Sequence, residues 1–313
     1  MKTRSLYMMG VFLGFLSAMG SAVIAIVLAG EKQIPTNWVL LIQSSVALFV
    51  SCAAPVVGKI ARIGRPPQDN EPMWLRTGRY GKHLLRAVAG LAIYGCYYQS
   101  LKCAPKVDCS LLLNTAPLFV PFLCIAAFGD RVPFRVWVGV VMGFIGVTVV
   151  LTPGASFKAL EHGHLLALLA GLSFAWSTVL VRDLNRTEQV TTTVFYYNIH
   201  SVVCLLVVTA IIPQAVSWRD VAICFGVGLV FCVKQYAITL SVKLASASTA
   251  ALLNFTAIPL LTLYGVFAEG KELSVALAVG AVLVAVGSLS AILKGRDPVA
   301  SATQATEKCA SAA

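Results

Sequence analysis

Apolar residues arrive in long runs, separated by short breaks that carry charge, proline or glycine. Read between those breaks, the runs fall near 6–29, 38–57, 84–101, 109–128, 134–151, 164–181, 191–212, 219–241, 249–267 and 274–293. Several reach the roughly 20 residues that an α-helix needs to cross about 30 Å of hydrocarbon at about 1.5 Å per residue. The pattern predicts ten transmembrane helices. Most loops are short, which makes neighbouring helices antiparallel, and the longer connection lies over 58–83. The first run follows Lys2 and Arg4 as a signal peptide would, yet it exceeds the roughly 7–15 residues of a signal core and leads directly into another span. It reads as a retained first helix.

Composition agrees with the runs. Of the 313 residues 58% are hydrophobic and 12% charged, against about half and a quarter in soluble domains. The net charge of +11 gathers in loops, with no aromatic-interleaved basic face on a soluble module, so it reports topology and not nucleic acid. With the N-terminus inside, seventeen of the 24 Lys and Arg residues fall on the inner side, six outside, and Lys234 within a span. Both termini are therefore expected in the cytoplasm, in a cell membrane of the bacterial inner-membrane kind. The nine cysteines lie mostly inside apolar runs without metal-ligand spacing and read as small hydrophobes. No cofactor and no metal site is expected.

A repeat appears when the fourth and fifth spans are laid over the ninth and tenth. Pro117 precedes Asp130 by thirteen positions, and Pro259 precedes Glu272 by thirteen; Gly139 and Gly146 are seven apart, as are Gly280 and Gly287. Upstream, Leu111, Leu112, Thr115 and Ala116 match Leu252, Leu253, Thr256 and Ala257. Five spans per copy is an odd number, so the second copy enters the membrane upside down. The fold class expected is all-α integral membrane, ten transmembrane helices in two inverted five-helix repeats, at 1–157 and 158–293, followed by a disordered cytoplasmic tail at 294–313.

These residues resemble the drug/metabolite transporter superfamily, specifically proteins with two EamA-type halves. The resemblance rests on Ala116-Pro117-Leu118 through Gly129-Asp130-Arg131 to Gly139 and Gly146, and again on Ile258-Pro259-Leu260 through Glu272 to Gly280 and Gly287. It departs at Asp130, where that family usually has Glu. The resemblance implies a ten-helix basket working by alternating access, with a central cavity lined by helices one, three, four, six, eight and nine. It implies no particular substrate.

Within that frame, Lys234 is the sharpest signal, because a lysine inside a span costs about 2.5–3.5 kcal/mol on insertion scales. Its side chain tilts toward the helix N-terminus and hence mid-membrane, away from the nearer interface. It is a candidate for binding a substrate anion or shuttling a proton, with snorkelling to the interface as the structural alternative. Tyr94, Tyr97 and Tyr98 form an i, i+3, i+4 stripe that would stack a planar substrate or simply pack. Trp176 and Tyr236 extend the same character, as pocket or core. Asn114 and Asn254 precede Pro117 and Pro259, whose freed carbonyls make them candidate hinges that a substrate or an amide would satisfy. His200 reads as hydrogen-bonded structure before it reads as a proton relay.

No GxxxxGK[ST] sequence and no soluble domain is present to hydrolyse ATP, and no HExxH or carboxylate cluster suggests an intramembrane enzyme. The function expected is a secondary transporter of a small organic metabolite, anionic or aromatic, by alternating access. The alternatives are a broad-specificity drug or amino-acid exporter and, in another class, a non-transporting partner or sensor subunit. The partners expected are a small-molecule substrate, membrane lipid and a proton or other coupling ion, with no nucleic acid, in a monomer or homodimer.

Overall fold

The computed structural model describes residues 2–31, 33–60, 77–103, 109, 112–129, 132–151 and 162–257, with nine further positions between 264 and 287. Of the described residues 88% are helical and none lies in a strand. The helices are α1 (Lys2–Gly30), α2 (Thr36–Ile60), α3 (Tyr80–Cys103), α4 (Ala116–Phe128), α5 (Phe134–Leu151), α6 (His162–Leu184), α7 (Val190–Ile211), α8 (Trp218–Leu244) and α9 (Ala247–Leu253), the last continued by a 3-10 turn at Asn254–Thr256.

Five described segments are long and apolar enough to cross a bilayer: Ser5–Leu28, Thr36–Ala53, His162–Leu184, Val190–Ile211 and Trp218–Leu244. Large apolar side chains cover much of the exterior, among them Phe49, Phe134, Val203 and Val233, each more than half exposed. Such a surface suits lipid, which solvates hydrocarbon at no cost. The chain is an integral membrane protein.

Local chemistry sets the helix ends. Ser217 and Asp220 form a capping box at the start of α8, where the Ser217 amide donates to Asp220 Oδ2 at 3.3 Å. α4 ends on Gly129 in the left-handed region at φ 66°, which glycine adopts without strain. The run 109–128 is not one continuous helix. It breaks at a turn over Asn114 and Thr115, and α4 begins after the break with Pro117 in its first turn, where proline forfeits no helical bond. The hinge expected at Pro117 is thus a break before the proline and not a kink at it. Pro259 and the tail from residue 294 lie outside the described residues.

α1 runs along α8, α3 runs along α6, and α2 wedges between α7 and α8. One apolar core joins Ile24, Ala47, Ala87, Tyr197, Val227 and Phe231 from five helices. A second joins Val120, Ala175, Val179, Val242 and Ala250. Gly287 meets α5 so closely that a Cβ there would stand 2.8 Å from the Gly139 carbonyl oxygen and 2.8 Å from the Gly143 nitrogen. Only glycine permits that crossing.

Candidate functional site

α8 places Lys234 ten residues before its end at Leu244, about 15 Å along the axis. The ammonium donates to the Tyr94 hydroxyl of α3 at 3.2 Å and stands 5.8 Å from that ring's centroid. α1 closes the third side, since a Cβ on Gly20 would sit 3.2 Å from the Lys234 Cβ. Among the described ion pairs none involves Lys234, so the cation meets a neutral phenol at a three-helix junction. A half-buried ammonium so placed favours an anion arriving from outside the protein.

Tyr236 lies two residues on, and its hydroxyl donates to Ser51 Oγ at 3.1 Å, which in turn donates to the Ala47 carbonyl at 2.7 Å. It also lines a cavity of about 370 Å³ with Leu13, Leu16, Val50, Val233 and Leu240. That cavity is wholly apolar and does not include Lys234; it accommodates hydrocarbon beside the polar pair. Tyr236→Phe removes one half-buried bond between α8 and α2, so thermal unfolding of the variant should report a loss of about 1 kcal/mol.

The remaining expected residues are spread more widely. Tyr97 is half-buried one turn beyond Tyr94 on α3, and the side chain of Tyr98 lies outside the described residues. Trp176 is 39% exposed on α6. Asn114 is half-buried in the turn before α4, Asn254 is half-buried at the start of the 3-10 turn, and Pro117 is buried. His200 Nδ1 lies 2.6 Å from the Tyr196 carbonyl, a bond within its own helix.

Sequence reasoning missed Arg86. It assigned this residue to the inner loops, although it falls inside the run 84–101, and the structure buries it to 1% exposure. Its guanidinium donates to the Thr193 carbonyl of α7 and to Thr239 Oγ1 of α8 at 3.5 Å, and lies 4.7 Å from the Tyr197 ring centroid. Asn185 Nδ2 joins this node through the Thr239 carbonyl at 2.8 Å. Gly90, one turn on, leaves room for Tyr197, whose ring would stand 2.6 Å from a Cβ there. A cation inside an apolar run was the available signal.

Below this node, the start of α3 is tied to the turn between α6 and α7. Arg79 and Lys82 both pair with Asp183, the latter at 2.6 Å, and Arg79 also donates to Thr187 Oγ1 at 2.9 Å. His83 Nε2 lies 2.6 Å from Glu188 Oε2, and the Thr77 hydroxyl donates to Glu188 Oε1.

Residues 8–152 match the EamA-like transporter family. The chain is 24% identical over 137 residues to the pseudopaline exporter of Pseudomonas aeruginosa, covering 44% of this chain and 45% of that protein. It is 26% identical over 161 residues to the S-adenosylmethionine uptake transporter of Rickettsia bellii, covering 50% and 51%. Against the riboflavin transporter of Vibrio cholerae it is 26% identical over 239 residues, 74% of each chain. The chain spans about half the length of the first two of these relatives. A protein of known crystal structure, 19% identical, shares the fold with a TM-score of 0.73 over 91% of this chain and 98% of its own.

Proposed function

We propose that this chain, whose residues 8–152 match the EamA-like transporter family, is a secondary transporter that moves a small organic metabolite across the membrane by alternating access. The observation that carries the reading is the Lys234 ammonium, held at the junction of α1, α3 and α8 with only the Tyr94 phenol as its bonded partner among the described contacts. In this reading Lys234 receives a carboxylate or phosphate of the substrate, and Tyr94 and Tyr97 offer their faces to its ring. Relatives named for pseudopaline, S-adenosylmethionine and riboflavin make a small organic metabolite the natural class.

The ten-helix, two-repeat plan belongs to the same proposal, and two observations support it. Exchanging halves, so that helix one stands for six and three for eight, turns the α1–α8 packing into the α6–α3 packing. Thr115 and Thr256, matched in the sequence repeat, each donate a hydroxyl to the carbonyl three residues earlier, Leu112 and Leu253, both at 2.6 Å. An inverted repeat supplies two alternative packings of similar energy, which alternating access requires. Orientation with both termini in the cytoplasm follows from the distribution of Lys and Arg.

Thermal stabilisation of purified protein across amino acids, nucleotides, vitamins and organic anions tests the substrate class. A ligand at about one hundred times its Kd stabilises by about 2.7 kcal/mol. An anionic compound should stabilise wild type and not Lys234→Met; equal stabilisation of both by neutral or cationic compounds removes Lys234 from the site.

A further inference from the structure

The two ends of the bundle are tied unequally. Where α1 passes to α2 and α7 to α8, the described ties are an Arg219–Glu31 pair at 2.6 Å, whose arginine is 70% exposed, a Trp38 Nε1 bond to the Gln214 carbonyl at 3.0 Å, and an Asn37 Nδ2 bond to Thr209 Oγ1 at 3.4 Å. A pair so exposed contributes little. Where α3 begins and α6 turns into α7, one pair is sheltered: the His83 side chain is 0% exposed and that of Glu188 7%.

His83 has one unusual feature. Its Nε2 faces Glu188, while its Nδ1 is buried with no hydrogen-bond partner among the described residues. A neutral ring that donates Nε2–H to the carboxylate leaves only a lone pair at Nδ1, which burial tolerates. A doubly protonated ring would place an N–H donor there with no acceptor in reach among the described residues, and an orphaned buried donor is costly.

The surroundings reinforce this. Arg86 lies one turn further along α3, and Arg79 and Lys82 precede His83 on the same segment, with Asp183 already engaged by the last two. From α7, the Tyr196 ring covers His83 at 4.8 Å between centroids, Tyr80 packs edge-on against Tyr196, and His200 lies behind it at 6.1 Å from Tyr196. Glu188 alone favours a cationic ring, and it reaches only the nitrogen that already carries a proton.

We propose that His83 is a proton-operated latch: while neutral it holds α3 to the α6–α7 turn through Glu188, and uptake of a second proton releases that end of the bundle. The sign follows from burial. The closed state accepts only the neutral ring, whereas an exposed histidine takes its second proton near about pH 6.5, so closure is complete above that value and weakens below it. The latch rests on the transport reading only in assigning this end a gating role.

The test is amide hydrogen exchange of the protein in lipid nanodiscs, followed over residues 183–195 and corrected for the intrinsic exchange rate. Between about pH 7.5 and about pH 5.5, wild-type protection should fall about tenfold, one proton per opening. His83→Gln keeps an N–H donor for Glu188 without titrating, so its protection should stay flat, while His200→Gln should keep the wild-type response. Flat wild-type protection, a response surviving in His83→Gln, or a response lost in His200→Gln each overturns the latch. Should His83→Gln fail to fold, the wild-type series and His200→Gln decide alone. No substrate is needed, so absence of flux would defeat the transport reading without touching this result.

Discussion

Lys234→Met is expected to lower flux of an anionic substrate about thirtyfold while leaving the protein no less stable. The loss follows from one charge-assisted hydrogen bond, worth about 2 kcal/mol when made to a desolvated anion. The stability follows from the environment. Within the protein the ammonium has the Tyr94 hydroxyl at 3.2 Å and no described carboxylate, so the substitution removes one modest bond. Against that, it relieves the cost of about 2.5–3.5 kcal/mol that insertion scales assign to a charge in a span. Proteoliposome flux read beside thermal unfolding separates the two quantities. A variant that transports normally, or that fails by unfolding, would place Lys234 in the scaffold and not in the site.

The largest effect on folding is expected at Gly171. A Cβ there would stand 2.8 Å from the Leu112 carbonyl oxygen and 3.1 Å from that of Leu113, both backbone atoms in the turn that breaks the fourth span. Backbone does not yield as a side chain does, so Gly171→Val must push α6 away from this turn, at a cost of about 3 kcal/mol or more. Gly226 on α8 has nothing within 4 Å of its Cβ position. Gly226→Val should therefore fall within about 0.5 kcal/mol of wild type. Monodisperse yield and unfolding temperature of the two variants check the contrast, and equal behaviour would contradict the packing of α6 on the break.

Much of the helical layout was legible in the hydropathy pattern. The runs 134–151 and 191–212 return as α5 (Phe134–Leu151) and α7 (Val190–Ile211) within one residue. Elsewhere the helices outrun the apolar stretch, because charged residues end a hydrophobic run without ending a helix. α3 starts at Tyr80, four residues before its run, and carries Lys82 and Arg86 in its first two turns. Asn114 and Pro117 marked this stretch as a candidate hinge, but the position of the break at Asn114 and Thr115 was not legible, since it depends on Thr115 bonding back to Leu112.

The site divides in the same way. Lys234 announces itself as a charge in an apolar run, but its partner Tyr94 lies 140 positions away, and that contact follows only from the tertiary arrangement of the helices. Arg86, two residues inside the start of the expected run 84–101, reads as an end-of-helix charge, and only its partners on α7 and α8 place it in the interior. His83 and Glu188 sit 105 positions apart, and neither is unusual alone. Pairs across the two halves are fixed by tertiary packing, which hydrophobic periodicity does not encode.

Counterflow in proteoliposomes tests the central claim most directly: vesicles loaded with an unlabelled organic anion that stabilises the purified protein, and tracer added outside. The account predicts tracer accumulation with wild type and almost none with folded Lys234→Met. Folded wild-type protein that exchanges none of the compounds that stabilise it, or equal exchange by both proteins, would contradict it.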